Sequence, residues 1–185
     1  MKCTEPMRHL GPVDIGPITE ALARLPEEAW SADMTFQKRV APYRKTRTIY
    51  LLMTSGGVYA PTSCLTGWDL LRESFEPLVK QIAGFFPKPG RVMNAQLALL
   101  GPGDDIAEHV DYGPVLELSH RVHVPLETHP EVSFIVEGKP IALQVGQAYE
   151  LDNMRLHSVY NGSPLRRIHV IVDYYEDPLI TSVIA

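Results

Sequence analysis

The chain has 185 residues, a length that suits one domain and allows a sizeable core. It is 45% hydrophobic and 21% charged, as in an ordinary globular protein, and its net charge of −5 argues against a non-specific nucleic-acid binder, which carries a basic patch. No apolar run approaches the roughly 18 residues of a membrane span, the start Met1–Pro6 lacks the apolar core of a signal peptide, and Cys3 and Cys64 form neither a CxxC pair nor a disulfide framework, so a cytoplasmic setting without a membrane partner is expected.

In chain order, Pro17 suits a first helical turn, and Ile18, Ala21, Leu22 and Leu25 recur at helical spacing. Thr48–Met53 reads as a strand. A second helix is predicted over about residues 68–86, with Leu71, Phe75, Leu78, Ile82 and Phe85 as its apolar stripe. Pro77 inside it predicts a kink or a break. From Arg91 onward short β-type runs alternate with turns: Met93–Leu100, Arg121–Leu126, Val132–Val136, Gln147–Leu151, His157–Tyr160 and Arg167–Tyr175. Many short strands at close spacing suggest a barrel or jelly roll. No repeat, low-complexity tract or linker divides the chain.

Six of the seven histidines lie in this β-rich half. In Glu108-His109-Val110-Asp111, His109 and Asp111 would share one face of a strand and could offer an imidazole and a carboxylate to one ion. A third ligand from a distant strand would complete the two-histidine, one-carboxylate face of non-haem iron(II) oxygenases, which leaves positions open for other ligands. An isolated HxD is also common in solvated turns, and Gly113-Pro114 follows at once. His157, 48 residues beyond His109, is the candidate third ligand; its alternative is a strand-edge histidine bonded to backbone.

Arg167 opens the run Arg167-Ile168-His169-Val170-Ile171-Val172-Asp173. Ile168, Val170 and Val172 form one face; Arg167, His169 and Ile171 form the other. An arginine on the inner face of an apolar strand is costly unless a carboxylate or phosphate meets its planar fork. A dicarboxylate co-substrate would meet it; an outward-facing surface ion pair is the alternative. Arg121 and His123 repeat the pattern opposite Val122 and Val124.

The stretch from about Asn94 to Leu179 resembles the aspartyl/asparaginyl β-hydroxylase family. The matching residues are His109-x-Asp111, Arg121-Val122-His123-Val124-Pro125-Leu126, Gly146, Tyr149-Glu150-Leu151-Asp152-Asn153, His157, Asn161 and Arg167 through Asp173. A weaker element covers Tyr43 to Leu51. The resemblance implies a mainly β fold with flanking α-helices: a double-stranded β-helix (jelly roll, cupin-like) over 91–179, preceded by a helix-rich support region over 1–90, in one domain over 1–185. It implies Fe(II) held by His109, Asp111 and His157, and 2-oxoglutarate and O2 as co-substrates. Arg167 would bind the distal carboxylate of 2-oxoglutarate. Arg121 and His123 would lie near its other end or near a substrate carboxylate, and His169 and Asn161 would orient ligands.

The implied reaction hydroxylates an amino acid or an amino-acid side chain in a peptide, coupled to decarboxylation of 2-oxoglutarate to succinate and CO2. Vertebrate-type peptidyl hydroxylases of the family lack the acidic ligand, so Asp111 brings this chain closer to bacterial members, some of which act on free amino acids. Ala98 stands where vertebrate-type members carry a serine, and Asn94 or Gln96 is expected to replace its contact. Arg39, Tyr43, Arg44, Arg47, Arg155 and Arg166 are candidate pocket residues. The competing reading is a cupin-like metal-binding protein, a sensor or isomerase, that does not use 2-oxoglutarate.

Overall fold

The computed structural model describes residues 3–31, 41–179 and 183–184. Eleven strands among them form two antiparallel sheets. The larger has seven strands in the order β1 (Met7–Pro12), β9 (Gln147–Leu151), β6 (His120–Glu127), β11 (Arg167–Glu176), β4 (Gly90–Leu100), β2 (Thr46–Thr54) and β3 (Thr62–Cys64). The smaller has four, in the order β5 (Asp105–His109), β10 (His157–Asn161), β7 (Val132–Val136) and β8 (Lys139–Ile141). This is the expected jelly roll. Two helices, α1 (Gly16–Ala23) and α2 (Thr66–Ala83), support the large sheet, and a short helix α3 (Pro114–Leu118) follows β5.

Period-2 alternation sorts the large sheet's side chains into two environments. Ile49, Leu51, Ala95, Leu97, Leu99, Val122, Val124, Ile168, Val170 and Val172 turn outward and join one core with Ile18, Leu22, Leu71, Phe75, Leu78 and Ile82 of the helices. Gly67 lets α2 sit directly on β2: a Cβ there would meet the Tyr50 carbonyl oxygen at 2.5 Å. The inward face looks at the small sheet across a smaller cluster of Leu100, Ile106, Phe134, Val136, Leu151 and Val159. Because both faces of β11 are covered, its inward polar residues are as buried as its valines.

Pro77 neither splits nor ends α2, which runs unbroken through it. Leu71 and Phe75 before the proline and Leu78, Val79 and Ile82 after it are buried in the same core, so packing holds both halves in one helix. The helix stops at Ala83, leaving Phe85 beyond it. The first 90 residues supply more than support: β1 closes one edge of the large sheet, and β2 and β3 close the other. Strands β1, β3 and β8 escape the sequence pattern because they are short and carry polar, glycine or proline residues. Near the end of the chain, Val183 and Ile184 pack on the main core, and the Val183 carbonyl accepts a hydrogen bond from Val92 N–H. Cys64 is an exposed free thiol, and Cys3 is half-buried. No helix among the described residues is long and apolar enough to cross a membrane.

Candidate metal centre

The small sheet brings two histidines together. His157 and His109 are direct cross-strand partners of β10 and β5, and their rings lie 4.3 Å apart. Asp111 does not share a strand face with His109, as the HxD spacing suggested. It lies two residues past the end of β5, in a loop tied down by Asn153: Asp111 N–H donates to the Asn153 carbonyl at 3.0 Å, and Asn153 Nδ2 donates to the carbonyls of Asp111 and Leu116. The loop turns the carboxylate back onto the imidazoles. Asp111 Oδ1 is 3.4 Å from His109 Nε2 and Oδ2 is 3.5 Å from His157 Nε2. The three residues form a group whose donor atoms all lie within 4.8 Å of one another.

Backbone carbonyls set the imidazoles. His109 Nδ1 donates to the Ala107 carbonyl at 2.7 Å, and His157 Nδ1 donates to the Arg155 carbonyl at 2.8 Å. In the neutral rings this leaves both Nε2 lone pairs aimed inward, as metal ligation requires. Burial favours the neutral form of His157. Burial would raise the pKa of Asp111, but the Arg121 charge, with His109, His157 and the Tyr43 hydroxyl, holds it well below the usual carboxylate range. Two imidazoles and one carboxylate on one side of an ion are a donor set for a first-row divalent metal with open positions.

Sequence register explains the rest of the interior. On the inner face of the large sheet, Asp173 lies beside Asn94 and Arg121, Ile171 beside Gln96 and His123, His169 beside Ala98 and Pro125, and Arg167 beside Leu100. Arg121 grips Asp173 with two hydrogen bonds of 2.8 and 2.9 Å and reaches Asp111 Oδ2 with a third of 2.6 Å. Its fork is therefore committed to two protein carboxylates. Asn94 is committed too, donating to Asp173 and accepting from Thr54 N–H.

Deeper along the same face, the pattern inverts. Arg167, 1% exposed, meets no carboxylate among the described residues; one nitrogen donates to His169 Nδ1 at 2.6 Å, and its Nε finds no partner among them. With Nδ1 accepting, neutral His169 carries its proton on Nε2, which is also unpartnered, as are both ring nitrogens of His123. Burial lowers the Arg167 pKa to about 9, and burial together with the Arg167 charge pushes His123 and His169 well below their ordinary values. Buried donors without acceptors cost free energy, and a carboxylate group is the acceptor that matches them. His123 stands between the two ends, edge-on to Phe134, whose ring stacks on His157.

A cavity of about 560 Å³ opens over the metal-binding group. It is walled by Thr48, Gln96, Ala98, Arg121 and Ile171 of the large sheet and by Tyr43 and Tyr112. A second cavity, of about 420 Å³, reaches His169 from between His129 and Gln144. Of the other candidate pocket residues, Arg47 pairs with Glu27, Arg155 with Glu137 and Asp152, and Arg166 with Glu127; Arg44 is exposed, and Arg39 lies outside the described residues. Asn161 does not orient a ligand: its Nδ2 binds the carbonyls of Leu100, Gly101 and Leu165, clamping two turns. Asn153 and the carbonyls of Ala107 and Arg155 do the orienting, and the carbonyls carry no residue-type signal in a sequence.

Residues 70–177 match the sequence model of the aspartyl/asparaginyl beta-hydroxylase family. The chain belongs to this family. Among solved structures, an oxidoreductase of the 2OG-Fe(II) oxygenase family from Burkholderia pseudomallei is similar over 87% of this chain and 78% of its own, with a TM-score of 0.61 and 15% identity. The apo form of ThoJ, a non-heme monooxygenase, is similar over 94% of this chain and 75% of its own, with a TM-score of 0.55 and 14% identity. The nickel complex of ThoJ gives 0.53 at 15% identity, over 94% of this chain and 74% of its own. At these identities the likeness establishes the jelly-roll fold. No curated protein matches the chain.

Proposed function

We propose that this member of the aspartyl/asparaginyl β-hydroxylase family is an Fe(II)- and 2-oxoglutarate-dependent dioxygenase that hydroxylates an amino acid or an amino-acid side chain in a peptide. One observation carries the reading beyond metal binding: the buried, carboxylate-free group of Arg167, His169 and His123, on the same inner face that leads to the metal-binding group. A cupin-like sensor or isomerase has no need to bury an unanswered arginine.

His109, Asp111 and His157 would hold Fe(II), and Arg167 would take the distal carboxylate of 2-oxoglutarate in two parallel hydrogen bonds. His169 Nε2–H and His123 would supply further donors beside it. When bound, iron and 2-oxoglutarate supply the oxidising power, with loss of CO2 and formation of succinate. The chain's own residues do the positioning. The Ala107 and Arg155 carbonyls fix the two imidazole tautomers, and Arg121 keeps Asp111 ionised and aimed. Ile171, Ile106, Val115 and Leu116 give the cavity an apolar wall that excludes water from the reacting centre. Gln96, Thr48 and Tyr50 offer polar contacts to a substrate or co-substrate carboxylate.

The test is succinate release from 2-oxoglutarate by the iron-loaded protein across a panel of free amino acids and short peptides, with isotopically labelled O2. A substrate that stimulates succinate release and gains one labelled oxygen supports the reading. Metal-loaded protein that neither binds nor consumes 2-oxoglutarate supports the cupin-like alternative.

A further inference from the structure

The second cavity, of about 420 Å³, shares no lining residue with the one over the metal-binding group. Ala98 lines the metal-side cavity, and His169, its cross-strand partner, lines the second. Val132 and Phe134 of β7, Ile141 of β8 and Leu143 beyond it give this second cavity an apolar wall. Of the polar side chains that line it, His169 alone is buried. The adjoining groove adds no net charge, because Glu127 and Arg166 on its wall pair with each other.

Arg167 sets what His169 offers to this cavity. A guanidinium only donates, so His169 Nδ1, 2.6 Å from it, accepts, and the proton of the neutral ring stays on Nε2. That buried Nε2–H meets no acceptor among the described residues. Water answers it poorly: a buried water is held by two to four polar partners, and the deep part of the cavity offers one donor among apolar side chains. Behind the donor stands the Arg167 charge, which no carboxylate among the described residues answers, so the acceptor that fits is anionic. The wall calls for an apolar body attached to that anion.

We propose that this cavity is a second ligand site, for a small aliphatic carboxylate. Its carboxylate accepts from His169 Nε2–H in the field of Arg167, and its hydrocarbon lies against Val132, Phe134, Ile141 and Leu143. A second carboxylate beside the same arginine and histidine repels the first, so the acid excludes 2-oxoglutarate and inhibits the enzyme. The site itself needs no metal; the exclusion rests on the co-substrate assigned above.

The probe is 4-methylpentanoate, titrated calorimetrically into full-length metal-free protein so that no carboxylate binds to iron. Saturable one-to-one binding is expected. Acetate, which lacks the apolar body, is expected to bind on the order of 100-fold more weakly, and the uncharged 4-methylpentanamide about tenfold more weakly or less. Ala142 is exposed and lines the cavity, so Ala142→Trp fills the space from its rim; it is expected to abolish binding of the acid and keep the wild-type unfolding midpoint. In wild type, nuclear Overhauser contacts from the probe's methyl groups to the Phe134 ring are expected. No saturable binding, an amide as tight as the acid, wild-type binding in Ala142→Trp, or methyl contacts to Ile171 on the metal side instead would each overturn the site. In iron-loaded protein the acid is expected to weaken binding of radiolabelled 2-oxoglutarate in wild type and not in Ala142→Trp. Unhindered binding of both ligands to wild type overturns the exclusion. If the label does not bind at all, the co-substrate assignment fails and the exclusion with it, whereas the site is still decided by the calorimetry.

Discussion

Arg121 and Arg167 lie on the inner face of the same sheet, on neighbouring strands, and the fold holds them in opposite ways. Arg121 is surrounded by charge that answers it: Asp173 on one side, Asp111 on the other, with Asn94 and Tyr43 completing the network. Arg167 is surrounded by neutral histidines, and only burial acts on its pKa. One arginine is part of the architecture of the metal-binding end. The other is a buried charge that no carboxylate among the described residues answers, and the proposed function makes its partner a ligand. A fold tolerates such a local penalty where function needs it.

Removing each arginine sharpens this contrast. Arg121→Met would strand two buried carboxylates and is expected to cost about 3–5 kcal/mol, read as a lowered midpoint in chemical unfolding of the metal-free protein. Arg167→Met removes a charge that nothing in the ligand-free protein repays. It is expected to leave that protein as stable as wild type or up to about 4 kcal/mol more stable, while weakening 2-oxoglutarate binding by about 100-fold or more. Equal destabilisation by both substitutions would erase the distinction.

The histidines beside Arg167 give a smaller, pH-dependent effect. Their folded pKa values lie below the unfolded value of about 6.5. Between those values the unfolded chain binds more protons, so stability rises with pH in that window and is fully present above it. Acidification below about pH 6.5 should therefore destabilise the metal-free protein by up to about 1.4 kcal/mol per pH unit for each histidine. In His169→Leu the slope should flatten; an identical slope would show that His169 is not the group responsible. Smallest of all, Arg166→Ala breaks only the solvent-facing pair with Glu127 and should change stability by about 0–1 kcal/mol.

The fold was legible where alternation was strong. Val132–Val136 and Gln147–Leu151 have the strand limits that the pattern predicts, and β11 sorts its two faces as Ile168, Val170 and Val172 suggested. Elements defined by pairing rather than by pattern were not legible, notably β1, β3 and β8. The break that Pro77 allowed does not occur, because tertiary burial of both halves of α2 outweighs a local preference.

In the site, His109, Asp111 and His157 come together, but by cross-strand pairing and an Asn153-anchored loop rather than by a shared strand face. Arg121 was expected near a ligand carboxylate because sequence shows an inward arginine but not which carboxylate meets it. The register that sets Asp173 opposite Arg121 resolves that. Tyr43 was visible only as one pocket residue among several, because its approach to His109 depends on a turn 66 residues away in sequence.

The measurement that bears most directly on the central claim is anaerobic titration of the Fe(II)-loaded protein with 2-oxoglutarate, following the weak visible charge-transfer band of the chelate, in wild type and Arg167→Ala. The account predicts a saturable band in wild type that is lost or greatly weakened in the variant, with equal iron in both. Iron-loaded wild type without a band, or a variant that titrates like wild type, would contradict it.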